Sequence, residues 1–430
     1  MSKITIILGA GASTGSGYRL VIKGNKKEKI PSDVNFLKIV FENRIHEESK
    51  KEVSDALKEV SRDLKIDPGE LLFDSFDSLM QQFGIRDGKP DDKEYLGLEE
   101  TWNTVVLNDK LIKLSLVRFN TERIEKNWSR TFSESPQIKI RKFADYFLRI
   151  LVQKVYGEMI GYEKGRESDS DSFKSMFKLL GIKKHKDLKN KIRNNISFLT
   201  FNYDLCLENS LWEEMDKQQY FYYSNFDDNY IPKARMLFPI HKLHGSLNWW
   251  HGFDGNVKLL RRGREIIEPI PIKEVNYFKE GTRESWEKYQ PSIIPADFLK
   301  EELFSGEGQE RLHRHYMKLW AKAGRALQEA DTIIIIGYSF PPADPHARWL
   351  VRASRSGLFY REKASELKGV YFLTYCGSKI EETTETIKSL IKSLFGHEPE
   401  VYSEGFEKCL QDKHLEKWLG KVLRKSRTKS

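Results

Sequence analysis

The sequence predicts an α/β fold: a doubly wound, Rossmann-like parallel sheet with a helical subdomain inserted into it. Three observations carry this. Five short apolar runs read as core strands: Ile4–Leu8, Ile196–Phe201, Pro239–Leu243, Thr332–Ile336 and Val370–Thr374. Strands covered on both faces read as unbroken apolar runs, and Ile333-Ile334-Ile335-Ile336 does. Helical spacing alternates with the later runs: Leu312, Tyr316, Leu319, Trp320, Ala323 and Leu327 before the fourth, and Ile387, Leu390, Ile391 and Leu394 after the fifth.

The first two runs are separated by a long stretch with helical periodicity. Val53, Leu57, Val60 and Leu64 fit one amphipathic helix. Leu72, Phe76, Leu79, Met80 and Phe83 fit a second, and Phe143, Phe147, Leu148, Leu151 and Val155 a third. Gly165–Ser172 is polar and reads as an exposed loop. The expected organisation is therefore an α/β domain over residues 1–45 and 190–400, a helical insertion over 46–189, and a C-terminal helix with a basic tail over 401–430. Val257-Lys258-Leu259-Leu260 and Ile266-Ile267 read as a small hairpin.

Composition excludes several classes. The chain has 430 residues, enough to bury a core without staples. Its three cysteines, Cys206, Cys376 and Cys409, are widely separated, which excludes a disulfide framework and any zinc site built on Cys-x-x-Cys. No apolar run is long enough to span a bilayer. Ile4–Leu8 is also too short for a signal-peptide core, so a cytoplasmic protein with no membrane partner is expected. The net charge of +9 comes from three local clusters: Lys183–Arg193 (net +5), Lys258–Arg264 (net +4) and Lys421–Ser430 (net +5). Direct nucleic-acid binding is a secondary expectation at most.

Ligands of open α/β sheets bind beyond the carboxyl ends of the strands. After the first run stands Gly9-Ala10-Gly11-Ala12-Ser13, whose small residues suit close approach of a pyrophosphate. Thr14 takes the place of the third glycine of a dinucleotide fingerprint, which disfavours a dehydrogenase. After the second run stand Asn202-Tyr203-Asp204, after the third His244-Gly245-Ser246, after the fourth Gly337-Tyr338-Ser339 followed by Phe340-Pro341-Pro342-Ala343-Asp344, and after the fifth Tyr375-Cys376-Gly377. Taken singly, each has a plain structural reading. Asn202 and Asp204 suit a turn or a helix N-cap, His244 a satisfied buried histidine, and Gly337 and Ser339 a turn. Their occurrence at successive strand ends points to one crevice.

In order and placement these motifs resemble the sirtuin superfamily. The matching elements are Gly9–Ser13, Thr200-Phe201-Asn202-Tyr203-Asp204, Lys242-Leu243-His244-Gly245-Ser246 and Gly337-Tyr338-Ser339. Pro31-Ser32-Asp33-Val34-Asn35-Phe36 looks like the segment after that family's first loop. The absence of paired cysteines separates the chain from the zinc-bearing deacylases. Phe201–Asp204, with Lys242-Leu243-His244-Gly245-Ser246-Leu247-Asn248-Trp249, looks like the prokaryotic sirtuin-like proteins of antiphage defence.

That resemblance implies hydrolysis of NAD to nicotinamide and ADP-ribose, with NAD as substrate and no zinc expected. It implies a homo-oligomer and a protein partner that triggers it, a HerA-type hexameric ATPase before an Argonaute-like protein. It implies that Asn202, His244 and Asp204 are catalytic, and that Gly9, Ala10, Gly11, Ala12, Ser13, Asp33, Gly245, Gly337 and Ser339 bind the dinucleotide. An NAD-dependent deacylase or ADP-ribosyltransferase, or a non-catalytic NAD or ADP-ribose sensor, are the other readings. His241, an odd number of residues from His244, reads as structural. Trp249 and Trp250 suit packing before base stacking.

Overall fold

The computed structural model describes residues 3–16, 19–22, 26–29, 172–182, 195–214, 221–224, 238–251, 257–259, 290–294, 310–341, 344–359, 363–375 and 380–425. In chain order its elements are β1 (Ile4–Leu8), α1 (Ala10–Thr14), β2 (Arg19–Ile22), β3 (Lys26–Lys29), α2 (Ser172–Leu179), β4 (Ile196–Thr200), α3 (Cys206–Glu214), β5 (Phe221–Tyr223), β6 (Phe238–Lys242), β7 (Gly245–His251), β8 (Val257–Leu259), β9 (Gln290–Ile293), α4 (Glu310–Glu329), β10 (Thr332–Ile336), α5 (Pro345–Arg355), β11 (Gly369–Leu373), α6 (Ile380–Phe395), β12 (Pro399–Tyr402), α7 (Phe406–Gln411) and α8 (His414–Lys425).

Seven strands form one sheet in the order β12-β11-β10-β1-β4-β6-β5, and every pairing in it is parallel. The fold is the expected doubly wound, Rossmann-like α/β type. All five runs read from the sequence are strands of this sheet. Two strands of this sheet were not anticipated, β5 and β12. They are its edges, three and four residues long, too short to stand out as apolar runs. β12 also lies across the boundary expected at residue 400.

The sheet is buried because helices cover both faces. Thr5 donates its hydroxyl to the Ala326 carbonyl of α4 at 3.1 Å, so Thr5 faces α4. Side chains alternate along a strand, so Ile6 faces the other way. The register aligns Ile6 with Phe198 and, through Ile334, with Tyr371. Phe198 meets Phe177 of α2 edge-on at 6.0 Å, and Tyr371 stacks on Trp418 of α8 at 5.0 Å. One face therefore carries α4 with α5 and α6 beside it, and the opposite face carries α2 and α8 with α3 and α7. Within α2, Phe173, Met176 and Phe177 follow helical spacing and enter the same core as the sheet. Ser172, expected in an exposed loop, begins α2 and is fully buried, because the apolar stripe that follows pulls the helix start inward.

Gly245 turns the chain out of the main sheet. It adopts φ +82°, and a Cβ there would stand 1.9 Å from the Ser292 carbonyl oxygen. β7 then forms a small antiparallel sheet with β8 and β9. β8 pairs with β7, whereas Ile266-Ile267, its expected hairpin partner, lies outside the described residues. So do the three expected insertion helices between residues 53 and 155, Asp33, Cys376, the Lys183–Arg193 cluster and most of Lys258–Arg264. The expected C-terminal helix is two, α7 and α8. Among the described residues no helix is long and apolar enough to cross a membrane.

Candidate active site

Register brings the polar residues together. Leu8, the last residue of β1, is opposite Ile336 on one side and Thr200 on the other, and Thr200 is opposite Lys242. The four strands end level, so Gly9 follows beside Gly337, and Asn202 and His244 stand equal distances past neighbouring strands. Strand order reverses at β1 and β10, which makes the gap beyond their carboxyl ends the topological switch point where such sheets bind ligands.

Gly337 at this point has φ +63°, and a Cβ on it would stand 2.4 Å from the Ala12 amide nitrogen. The Gly11 N–H donates to the Gly337 carbonyl at 3.1 Å, the Gly9 N–H to Ile336 at 3.0 Å, and the Ala12 N–H to Gly9 at 2.9 Å. The glycine turn is thus knitted to the β10 turn, and α1 starts at once at Ala10. Gly337 and Gly245, expected to touch the dinucleotide, have packing reasons to be glycine. Ala12 and Ser13 are buried, Ala10 is partly buried, and Gly11 and Ser339 are exposed on the rim.

Asn202 bridges into this turn. Its Nδ2 donates to the Gly9 carbonyl at 2.8 Å and to Ser13 Oγ at 2.9 Å. A carbonyl only accepts, so the amide orientation is fixed and both Nδ2 hydrogens are used. Oδ1 is then the acceptor of this half-buried side chain. Asp204 stands differently. Its Oδ1 accepts the Cys206 N–H at 2.9 Å, the turn-forming role, and it is 5% exposed.

A buried polar cluster holds the Asn202 loop to β6. Lys242 Nζ donates to the Asp204 carbonyl and pairs with Glu208 at 2.9 Å, both side chains being 1% exposed. The Tyr223 hydroxyl donates to Glu208 at 3.1 Å, and Asn248 Nδ2 donates to the Tyr223 hydroxyl at 3.1 Å. Burial pushes the Glu208 carboxyl up although Lys242 opposes it, and burial with the Glu208 charge pushes the Tyr223 phenol well up. Burial, with the Asp204 and Glu208 charges, likewise raises the Cys206 thiol, which argues against a nucleophilic thiolate.

His244 is buried beneath the crevice. Phe201 meets its ring edge-on at 5.2 Å, and Phe201 also stacks on Tyr338 at 3.9 Å with 5° between the planes. His244 Nε2 lies 2.9 Å from Asp344 Oδ2. Asp344 took no role in the sequence reading, although the Asp344-Pro345 pair opening a helical segment is an N-cap signal. Phe340, between Tyr338 and Asp344, has φ +52°, and Arg348 Nε holds its carbonyl at 2.8 Å.

His241 has the structural role expected of it. Its Nδ1 contacts Ser224 Oγ at 2.7 Å, and burial, helped by the Lys322 charge, lowers its pKa to about 3. Trp249 is buried against Tyr223 and His315. Among the described residues no three His, Cys, Asp or Glu side chains group as metal ligands.

The structure therefore gathers Gly9–Ser13, Asn202 and Gly337 at the switch point, seats His244 beside Asp344, and turns Asp204 toward its own helix. No curated protein matches the chain. Residues 196–392, which contribute Asn202, His244, Gly337 and Asp344, match the family model of the SIR2-like domain, a match that supports placing the chain in the sirtuin-like superfamily.

Proposed function

We propose that this protein hydrolyses NAD+ to nicotinamide and ADP-ribose. SIR2-like domains are generally NAD-dependent enzymes. The observation that carries the hydrolytic reading is the placement of Asn202. Its Nδ2 is tied to the glycine turn at the switch point, which leaves Oδ1 as the acceptor of its amide. The exposed rim at Gly11 and Ser339 suits the polar phosphate side of a dinucleotide.

Breaking the bond between ribose C1′ and the nicotinamide nitrogen passes through an oxocarbenium-like state. Nicotinamide leaves as a neutral molecule, water oxygen bonds to C1′, and one proton is released. Asn202 Oδ1 would accept from that water or from a ribose hydroxyl and so orient it. His244 would take the proton, since an imidazole suits this work near neutral pH. Being buried, it would act on a substrate atom seated in the crevice. Asp204 would hold the Asn202 loop. Activity as an effector of antiphage defence, in an oligomer triggered by a partner such as a HerA-type ATPase, is supported by the resemblance of the Phe201–Asp204 and Lys242–Trp249 motifs.

The test is nicotinamide release from NAD+ by the purified chain, alone and with candidate triggering proteins. Release is expected, with loss in Asn202→Ala and His244→Ala variants that keep the wild-type melting transition. Full turnover in both variants, or none from wild type under every condition, would overturn the reading.

A further inference from the structure

We propose that Asp344 is the positioning residue for His244: it fixes the imidazole as the Nε2–H tautomer, so that proton exchange with the substrate runs through Nδ1. The inference rests on the NAD-cleaving reading for its catalytic consequence, and on geometry for the rest.

Asp344 has no exposed surface. A carboxylate so placed needs donors, and at least three described groups converge on it. Oδ1 accepts the Ala347 N–H at 3.3 Å, and Oδ2 accepts the Tyr338 hydroxyl at 2.9 Å and faces His244 Nε2 at 2.9 Å. The Ala347 bond makes Asp344 the N-cap of α5, an 11-residue helix whose positive end favours negative charge there. An ionised carboxylate only accepts, so Nε2 must carry hydrogen. His244 is 1% exposed by its side chain, and Phe201 and Tyr203 flank its ring at 5.2 and 6.1 Å. Ring plane and tautomer are thus set before any substrate arrives.

The consequence for the reaction balances. As the water oxygen bonds to C1′, Nδ1 takes the water proton, or that of the ribose hydroxyl relaying it. The imidazolium formed is stabilised by the Asp344 charge, which stays unprotonated, and the proton then passes to solvent. Asp204, nearer to Asn202 in sequence, is not part of this pair.

The test uses the full chain labelled with ¹⁵N-histidine, with His244→Gln used to assign the His244 signals. Wild type is expected to show His244 protonated on Nε2 at neutral pH. In Asp344→Asn the Ala347 N–H keeps the amide oxygen on its side. The amide nitrogen then faces Nε2 and donates to it, so the tautomer should reverse to Nδ1–H. With NAD+, the same variant should lose roughly a hundredfold or more in kcat, with KM changed far less.

An Nδ1–H tautomer in wild type overturns the proposal with no variant needed, so a misfolded Asp344→Asn does not protect it. Unchanged kcat in a folded Asp344→Asn overturns it too, while leaving NAD+ hydrolysis standing. If wild type releases no nicotinamide but the tautomer reverses as described, the positioning holds and the NAD+ reading falls.

Discussion

Gly9 and Gly337 meet backbone to backbone: a Cβ on Gly9 would stand 2.4 Å from the Gly337 carbonyl oxygen. The two turns that frame the switch point are therefore one packed unit, and the crevice inherits its shape from their contact. Gly337→Ala should damage that unit. Alanine at φ +63° is strained and its Cβ meets the Gly11–Ala12 backbone, which cannot move aside as a side chain would. A loss of about 1–3 kcal/mol is expected, read as a lower urea midpoint. An unshifted midpoint would mean that the turns are not packed as described.

Asn202→Asp should abolish nicotinamide release and lower stability. The substitution removes both donors and sets a carboxylate oxygen against the Gly9 carbonyl, an acceptor facing an acceptor. The cost in stability should be about 1–3 kcal/mol. Ser13→Ala removes only one of the two acceptors that Asn202 uses and should cost less. Equal melting temperatures for wild type and Asn202→Asp would contradict the amide orientation.

Much of this arrangement is legible in the sequence, for a reason particular residues show. Ile4–Leu8 and Thr332–Ile336 are buried on both faces, so no charged residue interrupts them, Thr5 satisfies its hydroxyl on the Ala326 carbonyl, and the residue after each run is a strand end by construction. Asn202 and His244 follow from that. Asp344 does not, because its meeting with His244 is made by the β10–α5 turn and leaves no local trace beyond a helix cap. Asp204 shows the turn-forming role that its place in the sequence also allows. It stands two residues from Asn202, yet its carboxylate is engaged by the amide of Cys206. β5 and β12 escape because an edge strand of three or four residues carries too little pattern.

The Lys242–Glu208 pair should show strong coupling. Both side chains are 1% exposed, so Lys242→Met alone leaves a buried carboxylate with its cation removed, and Glu208→Leu alone leaves a buried ammonium. Each single variant should cost about 3–5 kcal/mol. The double variant should cost clearly less than their sum, as a urea-denaturation cycle would reveal. Lys242 also holds the Asp204 carbonyl, so the double variant should still lower NAD+ turnover by loosening the Asn202 loop. Additive stability losses would contradict the pairing.

His241 gives the fold a defined acid sensitivity. Its pKa falls from 6.5 to about 3, because burial penalises the imidazolium and the Lys322 charge opposes it. The folded state thus keeps His241 neutral where the unfolded chain binds a proton. Unfolding takes up that proton between the two values, so stability is complete above pH 6.5 and declines as pH falls toward 3. The slope for this one group is about 1.4 kcal/mol per pH unit. From pH 7 to 5 the contribution is a loss of about 2 kcal/mol. His241→Gln, which cannot titrate, should lack this component. The stability difference between wild type and variant, from urea denaturation at the two pH values, should therefore shift by about 2 kcal/mol in favour of the variant at pH 5. A difference that stays constant would place His241 in contact with water, contrary to its burial beside Ser224.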